Sequence, residues 1–154
     1  MSVDITVAPV DVRNAQLLQL IEALTTELAA AGYSAEQTFG YSPEQLSRSA
    51  VHLVGAYLAG RLVGIGGLEL QDENIAELKR FYVIPHHRGH GVADAVIAAL
   101  VAHGREHGAT LVRLETGDRQ YAAIRFYARH GFVVVPRFPP YVHSTSSICM
   151  QRPV

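Results

Sequence analysis

The chain has a single cysteine, Cys149, among 154 residues. An internal disulfide is therefore excluded. Charge is also sparse: Asp, Glu, Lys and Arg make up 18% of the residues, and the net charge is −1. That balance gives no electrostatic ground for a nucleic-acid or anionic-membrane partner. No apolar run approaches the roughly 20 residues needed to span a bilayer. The opening Met1-Ser2-Val3-Asp4 has neither the basic region nor the long apolar stretch of a secretory leader, so the cytoplasm is the expected location. Repeats, low-complexity tracts and linkers are lacking too. With 49% apolar residues, the expectation is one globular domain over residues 1–154 with a full core.

Apolar spacing divides the chain into alternating strands and helices. Residues 4–10 alternate as a strand, and Asp11 is placed to cap a helix running to about Ala31, where Gly32 ends it. Its apolar set, Leu17, Leu18, Ile21, Leu24 and Leu28, predicts one face against a sheet. Ser42-Pro43-Glu44-Gln45 combines an N-cap, a proline at the first helical position and a glutamine three residues on, which marks a short second helix. Between these helices, Tyr33, Phe39, Gly40 and Tyr41 lie in a loop suited to the substrate side. Residues 51–59, 62–70 and 75–83 read as an antiparallel meander, with Gly60-Arg61 and residues 71–74 as its turns. A helix from Gly91, a strand over residues 110–116, a helix over 121–130 and two last strands complete a β-α-α-β-β-β-α-β-α-β-β order. Gly64-Ile65-Gly66-Gly67 falls mid-strand, where close packing of backbone is the expected role.

The most informative stretch is Arg88-Gly89-His90-Gly91-Val92-Ala93, where an apolar strand runs into a glycine-bearing turn that opens a long helix. Glycine lets the backbone approach a ligand closely. The amides of the turn and of the first helical residues carry the positive end of the helix dipole. A pyrophosphate fits such a turn. A dinucleotide fold would need a fuller glycine pattern within a parallel βαβ unit, which this element order does not provide.

This turn resembles the acyl-CoA signature of the GCN5-related N-acetyltransferase superfamily. The stretch Ala123-Ile124-Arg125-Phe126-Tyr127-Ala128-Arg129-His130-Gly131-Phe132 is similar to that family's later signature, Ala-x-x-x-Tyr followed by Gly-Phe. Ala93 stands where many members have glycine, and Gln120 where many have an asparagine near the pantetheine arm. The resemblance implies an acyl-CoA N-acyltransferase fold: a mixed, mostly antiparallel sheet of six to seven strands flanked by helices, with a splayed central strand pair. It implies acetyl-CoA as acyl donor and an amine as acceptor. Arg88, Gly89, His90, Gly91, Val92 and Ala93 would meet the pyrophosphate, while Gln120 and the backbone of Tyr82 and Val83 would meet the pantetheine arm. Dimers are common among similar proteins, so a homodimer is an open expectation.

Acetyl transfer to nitrogen requires a neutral amine, a polarised thioester and a proton for the departing thiolate. By resemblance Tyr127 is the proton donor, with a core tyrosine between Phe126 and Phe132 as the alternative. Glu77 and Glu115 are competing general bases that the sequence does not separate. No activated cysteine or serine is evident, which favours direct attack over an acyl-enzyme. Arg80 and Arg119 are candidates to hold a carboxylate on a small, amino-acid-like acceptor. Strand alternation places Lys79 and Arg80 on opposite faces. Arg137-Phe138-Pro139-Pro140-Tyr141 resembles a segment bordering the acceptor pocket, which makes Tyr141 a substrate-side candidate. His86, His87 and His90 fall in the turn and His103 and His107 end a helix, so no metal site is expected. A non-catalytic acyl-CoA sensor, or an enzyme acting on a protein or tRNA-linked amine, stays open.

Overall fold

The computed structural model describes residues 4–154. Seven strands form one sheet: β1 (Ile5–Pro9), β2 (Val51–Leu58), β3 (Arg61–Leu70), β4 (Ile75–Val83), β5 (Leu111–Gly117), β6 (Val133–Val135) and β7 (Ser147–Pro153). Their spatial order is β1-β2-β3-β4-β5-β7-β6. Only β4 and β5 run parallel; every other neighbouring pair is antiparallel. Helices α1 (Ala15–Ala30) and α2 (Pro43–Arg48) cover one face, where Leu17, Leu20, Ile21 and Leu46 pack on Leu53, Leu62, Ile65 and Tyr82. Helices α3 (Val92–Glu106) and α4 (Tyr121–Arg129) border the larger core on the other face, which includes Val63, Leu68, Val96, Leu100, Leu114 and Phe132.

Local rules act where they were expected, with three shifts. Ser42 and Gln45 exchange the two hydrogen bonds of a capping box at α2. At α1 the cap is Asn14, whose side chain accepts from the amides of Gln16 and Leu17. Asp11 is instead occupied by the backbone and guanidinium of Arg13. The β2–β3 turn is Ala59-Gly60, one residue earlier than expected, and both residues have positive φ, as a tight two-residue hairpin requires. Of the helix α1 set, Leu18, Leu24 and Leu28 are only half-buried, and Leu24 and Leu28 face a groove beside the sheet.

Two departures from regular sheet position the site. A Cβ on Gly64 would meet Val92 at 2.8 Å, and one on Gly66 would meet Val96 at 2.8 Å and Leu100 at 2.9 Å, so these glycines let α3 lie directly on β3. Opposite them β4 carries a bulge: Ile65 pairs with Tyr82 and Gly67 with Lys79, leaving Arg80 and Phe81 across from Gly66. Arg80 takes φ of +52°, a left-handed conformation that costs a side-chain-bearing residue about 1–2 kcal/mol. The bulge breaks the alternation expected for Lys79 and Arg80. Both side chains reach Tyr41 on the α1 face, Lys79 over its ring and Arg80 to its carbonyl.

Candidate functional site

The parallel pairing of β4 with β5 covers only three residues of each strand, Ile75 to Glu77 against Leu111 to Arg113. Beyond that point the two strands part, and Leu78 to Val83 and Leu114 to Gly117 line the two sides of a groove of about 420 Å³. Loss of pairing leaves backbone donors and acceptors along both strand edges for a ligand to satisfy. The turn after β4 closes one end. There Gly89 (φ +80°) and Gly91 (φ +88°) adopt left-handed conformations, and Gly91 caps α3 without a side chain, so the first amides of the helix face outward. Arg88, Gly89, Gly91 and Ala93 line the groove, whereas Val92 is buried against the sheet and offers only its backbone. His90 is exposed on the turn. The Arg88 guanidinium bonds the Val83 carbonyl and Glu27 at 2.8 Å each, tying the turn to β4 and α1. Gln120 lines the groove at the N-cap of α4.

The structure separates the two candidate carboxylates. Glu77 is 2% exposed and enclosed by partners: Lys79 at 2.9 Å, the Tyr141 hydroxyl at 2.6 Å and the Gln71 amide at 2.9 Å. It does not reach the groove lining. Glu115, two residues past the last β4–β5 pair, does. One of its oxygens accepts from the Ser147 hydroxyl at 2.6 Å. Burial raises its pKa above the usual carboxylate range; the Glu77 charge adds to this, while the Ser147 bond and the Lys79 charge oppose it.

Tyr127 is 8% exposed, lies on α4 and lines the same groove, edge-on to Phe81 and Phe132. Burial and then the Glu115 charge push its phenol well above the ordinary range, so it stays protonated. Tyr127 is thus both packed among aromatic rings and part of the groove wall. Tyr141 stands behind the groove, buried against Phe39 at 4.9 Å, with its hydroxyl given to Glu77.

The two arginines differ. Arg80 lines the groove, and its guanidinium donates to the Tyr41 carbonyl at 2.8 Å and the Thr25 hydroxyl at 3.2 Å. Its Nη1 makes no hydrogen bond to the described residues, and a Cβ on Gly40 would collide with it. Arg119 stacks over the Tyr33 ring at 4.4 Å, outside the lining. Tyr33, Phe39 and Gly40 of the loop between α1 and α2 line the groove as well. Sequence reasoning missed Ser147, Gln71 and Arg113, the last of which bonds Gln71 at 2.8 Å. No motif marks these residues; only the pairing of β5 with β7 brings Ser147 to Glu115. His52 of β2 stacks on His103 of α3, and His103 on His107, with ring centroids 3.7 and 4.1 Å apart, and none of the three lines the groove.

A family model for the acetyltransferase (GNAT) family matches residues 17–132. The chain is a member of the GNAT acetyltransferase family. It is 28% identical over 152 residues to an IAA acetyltransferase from Azospirillum brasilense, covering 98% of this chain and 99% of that one. A structure from Klebsiella pneumoniae, provisionally assigned as an acyl-CoA N-acyltransferase, superposes with a TM-score of 0.82 at 31% identity, covering 97% of each chain. The PaiA N-acetyltransferase from Thermoplasma acidophilum, solved in complex with coenzyme A, has the same fold, with a TM-score of 0.80 at 20% identity over 98% of this chain and 99% of that one. An acyltransferase that uses acyl-CoA is therefore established by family.

Proposed function

We propose that this GNAT protein moves an acetyl group from acetyl-CoA to the primary amine of a small acceptor that also carries an anionic group, by direct attack with both substrates bound. The observation that carries the reading is the meeting of Glu115 and Tyr127 in one groove, close enough for the carboxylate charge to raise the phenol's pKa. Glu115 takes the proton from the attacking nitrogen, and Tyr127 donates one to the departing sulfur. The amides of the Arg88–Ala93 turn hold the pyrophosphate, and the free edge of β4 at Tyr82 and Val83 runs along the pantetheine arm. Glu77 serves as the buried counter-charge of Lys79, which in turn lies 4.3 Å from the Tyr41 ring beneath the acceptor loop.

Arg80 supports the anionic group. Its Nη1 is uncommitted and it shares the groove lining with the apolar side chains of Leu24, Leu28 and Phe39, whereas Arg88 is bound to Val83 and Glu27 and Arg129 lies on α4. L-phenylalanine and phenethylamine form a matched pair of acceptors that differ by the carboxylate. The expected result is a higher kcat/KM for L-phenylalanine in wild type and loss of that preference in Arg80→Ala, with Arg119→Ala as a control outside the lining. Equal values for the two amines in wild type would remove the carboxylate from the proposal.

A further inference from the structure

Behind Glu115 two hydroxyls form a chain that leads away from the groove. Ser147 Oγ lies 2.6 Å from Glu115 Oε2, and Ser144 Oγ lies 2.6 Å from Ser147 Oγ. Ser147 is 1% exposed, whereas Ser144 is half-buried in the turn before β7. Neither lines the groove. We propose that Ser147 and Ser144 relay the proton taken by Glu115 from the acceptor amine out to solvent. The inference rests on the reading of Glu115 as the base.

Counting protons fixes the direction of the chain at rest. A serine hydroxyl has one hydrogen. An ionised Glu115 only accepts, so the Ser147 hydrogen points to Glu115, and the bond between the serines must be donated by Ser144. Both hydrogens aim inward. When Glu115 gains a proton the order reverses without movement of a heavy atom: Glu115 donates to Ser147, Ser147 to Ser144, and Ser144 to water. The 2.6 Å from Ser147 to Glu115 is that of a hydroxyl bonded to a charged oxygen, and the bond between the two neutral hydroxyls behind it is equally short.

The reaction needs such an exit. An amine reaches the groove as an ammonium ion, and the balanced change is R–NH3⁺ plus acetyl-CoA giving R–NH–CO–CH3, CoA–SH and H⁺. The first proton must leave nitrogen before its lone pair can form the N–C bond. The second leaves nitrogen after that bond forms and replaces the one Tyr127 gives to sulfur, as the C–S bond breaks and its electron pair stays on sulfur. Glu115 thus acts twice per turnover and must be emptied in between. At that moment the groove is filled by both substrates. The hydroxyl pair lies on the β7 side, where neither substrate stands in the way.

The test compares Glu115→Gln, Ser147→Ala, Ser144→Ala and Ser144→Thr, with acetyl-CoA and whichever of L-phenylalanine and phenethylamine wild type acetylates faster. Ser144 does not touch Glu115, so a residue that merely orients the carboxylate is distinguished from a relay. Each alanine variant should lower kcat on the order of 10-fold, below the 10²–10⁴-fold of the base itself, with KM unchanged and an enlarged solvent deuterium effect. Ser144→Thr should restore both. An infrared titration of the Glu115 carboxyl band gives a readout independent of any acceptor. Its midpoint should rise in Ser144→Ala, because the anion loses its outer donor while the other groups facing it, Glu77, Lys79, Tyr127, Tyr141 and Cys149, are unchanged. A Ser144→Ala protein with wild-type kcat, isotope effect and titration overturns the relay and leaves Glu115 as base. Wild-type turnover in Glu115→Gln overturns the base reading itself.

Discussion

The Tyr33 hydroxyl accepts a hydrogen bond from the Arg119 amide at 2.7 Å and donates one to the Asp118 carboxylate at 3.2 Å. The loop after α1 is thereby fastened to the loop after β5 beside the groove, which Tyr33 and Gly117 both line. Gly117 has no room for a side chain there, because a Cβ would overlap the Tyr33 hydroxyl. Tyr33→Phe removes both bonds and leaves the ring in place beneath Arg119. A net loss of about 1–3 kcal/mol for two such bonds predicts amide exchange at Arg119 faster by one to two orders of magnitude. The KM for the acceptor should rise more than that for acetyl-CoA.

Glu115→Gln and Glu77→Gln should fail in different ways. The first should lose on the order of 10²–10⁴-fold in kcat/KM with little change in melting temperature. The second leaves the Lys79 ammonium buried beside a neutral amide, a change that costs about 3–5 kcal/mol when one partner of a buried pair is removed. Its primary effect should be a fall in melting temperature. Thermal melts and steady-state rates on the two variants check the contrast.

The pH profile follows from the same carboxylate. A base acts when ionised, and burial raises the Glu115 pKa, so kcat/KM should climb with pH through a midpoint above the ordinary carboxylate range. The Ser147 hydrogen bond opposes that shift, so Ser147→Ala should move the midpoint further up. A midpoint that stays put in this variant would separate the limb from Glu115.

Tyr127→Phe keeps the ring that packs against Phe81 and Phe132 and removes the proton. Loss of a general acid predicts kcat lower by about 10²-fold, with the KM for acetyl-CoA nearly unchanged. The variant should melt near the wild-type temperature, which distinguishes chemistry from packing.

Gly91 has φ of +88°, and the nearest neighbour of an added Cβ is Ile5 at 3.8 Å. Space is available, but the backbone conformation suits only glycine. Gly91→Val should therefore shift the turn and displace the first amides of α3 while the core persists. Calorimetry with acetyl-CoA should show weaker binding by a factor of 10 or more, about 1.4 kcal/mol. Arg88→Ala should weaken it less, since that guanidinium is committed to Val83 and Glu27.

Features governed by near neighbours were readable from the chain. The capping box at Ser42, the strand-to-helix turn at Gly91 and the close-packed glycines of β3 each follow from a few adjacent residues and the backbone geometry they permit. The competition between Asp11 and Asn14 for the α1 cap is a local choice too, but it turns on Arg13 holding Asp11. What stayed hidden depends on long-range register. Glu77 and Glu115 look equivalent as strand carboxylates; which one opens into the groove is decided by where β4 leaves β5 and by Tyr141 arriving from 64 residues away. Lys79 and Arg80 would alternate in a regular strand, and nothing about an arginine announces the left-handed conformation that prevents it. That conformation is held by Tyr41 and Thr25, residues far away in the sequence.

Three residue pairs join β4 to β5, and they are the sheet's connection between a four-stranded and a three-stranded half. Mechanically this is a short seam with a long slit beside it. The softest deformation of the sheet is a twist of one half against the other about Ile75–Glu77, resisted at the far side by the Tyr33 fastening. An extended ligand in the slit acts as a brace between the halves, so occupancy should stiffen regions that never touch it. The trade is unavoidable in this architecture: substitutions that drew Leu78 and Leu114 into register would lengthen the seam, raise the unfolding free energy and take away the slit in which we propose the donor to lie.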